Sequence, residues 1–208
     1  PDQHSRPGCC NTMNILHVSQ FDVSGGAERV AWNLHQVCVE QTHYSRMLVG
    51  VKRSDSPGVI GLVPERNARI PFAFYRALRY FERRTGIQSL GYWMAGQWWR
   101  SATQSWDVVH LHNLHGGYFD LGLLPVMARK ARLIITLHDC WLLTGHCAHP
   151  MACGRWKSGC GHCPDLAAYP GIEHDNTHFN WQRKRRLLQA SQPVLVTPSR
   201  WLADMVAE

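Results

Sequence analysis

The chain has 208 residues and a mass of 23.7 kDa, and 45% of it is hydrophobic, enough for an ordinary core in one large or two small domains. Lys and Arg outnumber Asp and Glu by 22 to 15, and the net charge of +7 favours anionic partners such as phosphates, nucleic acid or a membrane surface without choosing among them. The longest apolar stretches, such as Ile70 to Tyr75 and Leu133 to Leu137, fall far below the roughly 18 residues that span a bilayer, so no transmembrane helix is expected. Eight cysteines in a chain of this size, without a basic-then-apolar leader, make a reducing cytoplasm the expected setting.

Residues 1–12 are polar and aperiodic, and Met13 precedes a strand-like run. A disordered tail before a natural start at Met13 is the expectation. Ile15 to Val18 predict a strand that breaks at Ser24-Gly25-Gly26, after which Val30, Leu34 and Val37 recur at helical spacing. Tyr44 to Val51 predict a second strand, which makes the opening a βαβ unit with a right-handed crossover. Lys52 to Arg69 read as a loop with one short strand around Val59 to Val63. Pro71 to Arg84 and Leu90 to Ser105 predict two aromatic, basic helices. Asp107 to His112 predict a strand, Gly117 to Arg129 a helix shortened or kinked by Pro125, and Arg132 to Leu137 another strand. Beyond a Cys-, Gly- and Pro-rich insertion over 145–171 come a charged helix from Asp175 to Ala190, a strand from Val194 to Thr197 and a helix from Ser199 to Ala207. The alternation predicts a doubly wound α/β domain over 13–208 with a mainly parallel, Rossmann-like sheet. The last helix reaches Glu208 without a stop signal, so the chain reads as truncated.

Gly25 and Gly26 stand between a strand end and a helix start, where free N–H groups and the helix dipole favour an anion. The turn lacks both G-x-G-x-x-G and the Gly-Lys-Ser/Thr of the P-loop, so neither NAD nor a standard ATPase site is supported. His110 and His112 share a strand face, with His115 beyond them. They admit a metal site or hydrogen-bonded histidines at a polar cleft edge. His138-Asp139 follow a strand at the carboxyl edge where open parallel sheets gather ligands. His138 suits a sugar hydroxyl or a departing group, and Asp139 suits either the site or a turn cap.

Cys147, Cys153, Cys160 and Cys163 make C-x5-C-x6-C-x2-C, and Gly-Cys-Gly-His-Cys-Pro around the last pair resembles a zinc knuckle. Four such ligands close a site and make it structural. His146, His149 and His162 are possible substitutes, and disulfides or plain reduced thiols remain open. Between Phe72 and Arg100, aromatic residues alternate with arginines. Such helices suit either a core or an anionic membrane interface, to which Arg183-Lys184-Arg185-Arg186 could add.

Taken together, Ser24-Gly25-Gly26-Ala27-Glu28-Arg29, Val109-His110-Leu111-His112-Asn113, Thr136-Leu137-His138-Asp139 and Thr197-Pro198-Ser199 resemble the amino-terminal half of a family 4 glycosyltransferase of the GT-B fold. Trp141 to Cys147 and Arg155 to Pro164 resemble a subgroup that assembles exopolysaccharides of the colanic-acid type. The resemblance implies transfer of a sugar, with retention, from a nucleotide-diphosphate donor to a lipid-linked or saccharide acceptor. Gly25 and Gly26 would approach the donor diphosphate, and His138 would act catalytically against the donor sugar. His112, Asn113 and Asp139 would lie on the acceptor side. It further implies no cofactor in the chemical step, zinc only as architecture, and a cytoplasmic location, peripheral to the inner face of the plasma membrane. A carboxyl-terminal nucleotide-sugar domain would lie outside these residues, leaving the 208-residue chain inactive alone. Two rivals remain: a zinc-containing nucleic-acid-binding module, whereas the transferase calls for no nucleic acid, and a metallohydrolase using His110, His112, His115 and His138.

Overall fold

The computed structural model describes residues 12–63, 69–88 and 93–208, so all but Thr12 of the expected tail, with Cys9 and Cys10, lies outside the described residues. Six strands, β1 (Asn14–Phe21), β2 (Tyr44–Val51), β3 (Val59–Gly61), β4 (Val108–His112), β5 (Arg132–Thr136) and β6 (Val194–Val196), form one sheet in the order β3-β2-β1-β4-β5-β6. Every pairing is parallel. This is the doubly wound arrangement expected from the alternation, and its strand order reverses between β1 and β4. The helices are α1 (Gly26–Glu40), α2 (Arg69–Thr85), α3 (Trp93–Ser101), α4 (Leu124–Ala128), α5 (Thr177–Ser191) and α6 (Arg200–Ala207).

Strand alternation gives the sheet two chemically different faces. Leu16, Val18, Leu48, Val109, Leu111, Leu133 and Ile135 enter one large apolar cluster with Trp99, Trp106, Tyr118, Phe119, Leu124 and Met127. The intervening positions put His17, Ser19, Ser45, His110 and His112 on the other face. There the helix α1 contributes Ala31 and His35, beside a small apolar cluster with Met47, Val49 and Val59. Much of one face is therefore imidazole and hydroxyl rather than hydrocarbon.

Two expected helices are shorter in the structure. The segment from Gly117 to Arg129 is a turn, a 3-10 turn over Leu121–Leu123 and then α4. Gly116 and Gly117 take φ of 101° and 71°, conformations a helix cannot use, while Tyr118 and Phe119 are drawn into the core and Pro125 sits in the first turn of α4. The segment expected to be helical from Leu90 to Ser105 ends at Ser101, and Trp106 turns inward as a core residue. Its first residues, 90–92, lie outside the described residues.

The carboxyl end of β2 approaches this turn so closely that only glycine fits at Gly50. A Cβ there would stand 2.8 Å from Tyr118 Cβ and 2.9 Å from the Gln20 carbonyl oxygen. Gly50→Ala is expected to destabilise the domain by about 1–3 kcal/mol through overpacking, read as a lower urea midpoint with an unchanged slope. An unchanged midpoint would contradict the contact.

Candidate functional site

The reversal point of the sheet is bounded by the loop from β1 to α1 and the turn after β4. Asp22, fully buried, organises the first: its Oδ1 accepts from the Arg53 N–H and its Oδ2 from the Ser54 N–H, both at 2.8 Å. Burial pushes the Asp22 carboxyl up, but the bonds from Ser54, Arg53 and Val23 outweigh it and hold the group below its ordinary range. Arg53 stacks over the Phe21 ring at 4.0 Å and donates to Ser24 Oγ at 2.9 Å, which places a guanidinium beside Gly25 and Gly26. Gly25 is the N-cap of α1 and offers no side-chain cap, so the first amide donors of the helix are left for other partners. Glu28, in that first turn, comes close to Gly25, where a Cβ would lie 3.0 Å from its Oε2. It also acts electrostatically on His138.

After β4 the chain turns through left-handed Asn113, φ 38°, a conformation that Asn tolerates better than most residues. Tyr118 Oη donates to the Asn113 carbonyl at 3.0 Å. A hollow of about 20 Å³ opens beside this turn, lined among others by Asn113, His115, His138, Asp139 and Trp141. Four of the residues singled out in the sequence, Asn113, His115, His138 and Asp139, thus share one lining. Gly25 and Gly26 do not belong to it; their link to it is Glu28.

Behind the hollow, hydrogen bonds cross from β4 to β5. His110 Nε2 meets Thr136 Oγ1 at 2.8 Å, and His112 Nδ1 meets His138 Nε2 at 3.1 Å. His112 is fully buried and meets the hollow only through His138, whose Nδ1 has no hydrogen-bond partner among the described residues. Asp139 has both oxygens engaged, Oδ2 with His115 Nε2 at 2.9 Å and Oδ1 with the Trp141 N–H at 2.8 Å. Burial would raise its carboxyl, but His115 and the Trp141 amide overcome this and lower it. That geometry makes Asp139 the cap of the turn after β5, tied to His115.

Four imidazoles, those of His17, His110, His112 and His138, are held neutral. Burial first, then repulsion from neighbouring rings, lowers His17 to about 3, His110 to about 4 and His112 to about 2. Burial also lowers His138, against an opposing pull from Asp139 and Glu28. His17, which sits opposite His110 in the register of β1 on β4, is the member that sequence patterning misses. One nitrogen from each of His17, His110 and His112 lies within 4.8 Å of the others, so this trio could hold a metal ion. The trio includes no carboxylate. His110, His112, His115 and His138, the set of the metallohydrolase reading, do not form such a group among the described residues.

Cys147, Cys153, Cys160 and Cys163 line a separate cavity in the insertion. The basic run of α5 is divided: Arg185 and Arg186 are exposed, Arg183 pairs with Asp120 at 2.9 Å, and Lys184 is buried. Lys184 Nζ donates to the carbonyls of Trp141 at 2.7 Å and Thr144 at 3.2 Å, and it lies 3.6 Å from the Trp141 ring centre. Half of the run expected on the surface is therefore structural. The described helix α2 does expose Phe74, Tyr80 and Phe81 among Arg76, Arg83 and Arg84. No helix among the described residues is long and apolar enough to cross a membrane.

No family model matches the chain. It is 30% identical over 212 residues to the Escherichia coli (strain K12) protein named "Putative colanic acid biosynthesis glycosyl transferase WcaC". The match takes in 92% of this chain and 50% of that protein, so the chain spans about half the length of the curated relative it matches. Along nearly its whole length, then, the chain is similar to a protein named as a putative colanic acid biosynthesis glycosyl transferase.

Proposed function

We propose that this domain is the acceptor-side half of a retaining GT-B glycosyltransferase of family 4, which moves a sugar from a nucleotide diphosphate to a lipid-linked or saccharide acceptor in exopolysaccharide synthesis. The observation that carries the reading is the gathering of Asn113, His138 and Asp139 around one hollow at the carboxyl ends of β4 and β5, one strand along from the reversal between β1 and β4. Open parallel sheets bind their ligands outside the carboxyl ends of their strands.

In this reading the uncapped amides at the start of α1 and the guanidinium of Arg53 receive the donor diphosphate, where negative charge grows as the bond to the sugar breaks. His138, neutral and oriented by His112, offers Nδ1 to a hydroxyl of the donor sugar. The acceptor oxygen bonds to the anomeric carbon on the face that the diphosphate leaves, and the acceptor's proton passes to the departing phosphate oxygen. No pair of carboxylates at glycosidase separation is required. The exposed aromatic and arginine side chains of α2 suit the anionic surface on which a lipid-linked acceptor would be presented.

The test is an assay of the complete gene product against a panel of nucleotide-diphosphate sugars with polyprenyl-phosphate-linked and free saccharide acceptors. Release of nucleoside diphosphate coupled to a product of retained anomeric configuration is expected, with little or no turnover by the 208-residue chain alone. Inversion, or ordinary turnover by the isolated chain, would overturn the corresponding part of the proposal.

A further inference from the structure

Between β5 and α5 the chain runs for forty residues, 137–176, with no regular element except a 3-10 turn over Arg155–Lys157. Irregular segments of this length are uncommon in compact domains unless something other than a helix or strand fixes them. Here Cys147, Cys153, Cys160 and Cys163 all line one cavity of about 20 Å³, and none of them is in a disulfide. That volume accommodates a single small occupant.

The backbone around the last pair is shaped for the same purpose. Gly159, Cys160, Gly161 and His162 are four consecutive residues with left-handed φ, 120°, 56°, 88° and 47°. Two of them are not glycine, a strain that persists only where the surroundings enforce it and that clusters at ligand clamps. The Gly145 N–H donates to Cys160 Sγ at 3.1 Å, the kind of outer bond that steadies a metal-bound thiolate. The Gly161 N–H donates to Thr177 Oγ1 at 2.9 Å and the Cys163 N–H to Asp175 Oδ2 at 2.7 Å. The turn is thereby pinned to the start of α5.

We propose that Cys147, Cys153, Cys160 and Cys163 bind one zinc ion as a tetrahedral tetrathiolate that staples the insertion to α5. Four thiolates in a closed tetrahedral set select zinc, or iron, over harder ions, and four protein ligands leave no position for substrate, so the site is architectural. His146, whose Nε2 lies 3.3 Å from Cys163 Sγ and 3.2 Å from the Asp165 carbonyl oxygen, orients that sulfur. The sulfurs stand more openly than the nitrogens of the histidine trio, which alone among the described residues lie within 4.8 Å of one another. Binding therefore draws the insertion inward, and zinc and local folding are coupled. This inference does not depend on the transferase reading.

The experiment is metal analysis of the protein purified under reducing conditions. One zinc per chain is expected, and exchange for cobalt(II) should give the intense visible bands and thiolate charge transfer of a tetrahedral tetrathiolate. Cys160→Ser and Cys163→Ser should lose the metal, whereas Cys38→Ser and Cys140→Ser should retain it. If the serine variants fail to fold, stepwise modification of thiols in the wild-type protein should release zinc in proportion. Iron, no metal at all, four cysteines found as disulfides, or metal that survives loss of Cys160 and Cys163 but disappears with His110→Ala and His112→Ala would each overturn the proposal.

Discussion

Acidification from pH 7 to pH 5 is expected to weaken the domain by about 2 kcal/mol for each of His17, His110 and His112. Their folded values of about 3, 4 and 2 lie below the ordinary 6.5 that the unfolded chain regains. Between those limits the unfolded state binds more protons than the folded one, so stability rises with pH across the window and is lost as pH falls below about 6.5. The combined loss, on the order of 5 kcal/mol, approaches the total stability of many domains. It precedes the titration of the lowered carboxyls of Asp22 and Asp139, whose contributions disappear only in stronger acid. Urea midpoints measured at half-unit steps of pH would reveal the slope, and His17→Gln should remove about a third of it. Stability that stays flat between pH 7 and pH 5 would contradict the buried neutral cluster.

In the complete enzyme, His138→Ala is expected to lower kcat by about 10²- to 10³-fold, the range found when one preorganised polar group is removed from a transition state. Nucleotide binding should change by much less, because the diphosphate is assigned to α1 and Arg53. Titration of nucleoside diphosphate by calorimetry, alongside kcat and KM for the sugar donor, separates the two effects. His112→Ala should produce a smaller loss of kcat, since it touches His138 and not the ligand. Full turnover in His138→Ala would remove this residue from the proposed chemistry.

The parts of the fold that patterning reveals are those set by local signals. The carboxyl limit of β2 is legible because its apolar run from Met47 to Val51 stops at Lys52-Arg53, and the start of α6 because Ser199 supplies a cap, accepting from the Leu202 N–H. The turn after β4 is not, because Gly116 and Gly117 look tolerable in a helix until Tyr118 and Phe119 are seen to be needed in the core. Helix α5 is legible as a charged helix, expected from Asp175 to Ala190 and found over Thr177–Ser191, but its inward face is not, because its buried positions, Thr177, Asn180, Lys184 and Ser191, are all polar. For the site, His138-Asp139 can be found from their position after a strand. His17 cannot, since its significance depends on the register that sets it against His110, a contact across nearly a hundred residues of chain.

The sheet order also acts as a ruler. The glycine turn leaves the tip of β1 and His138 follows the tip of β5, with β4 between them. Neighbouring strands lie about 4.8 Å apart, so the two groups are offset sideways by roughly 10 Å. In the proposed reaction, whatever is anchored by its phosphates at the first tip must project its reactive carbon across one strand to meet the imidazole. A ligand built without a unit of that span between its charged end and its reacting bond falls short, so the spacing of the strands discriminates by length before any hydroxyl is recognised.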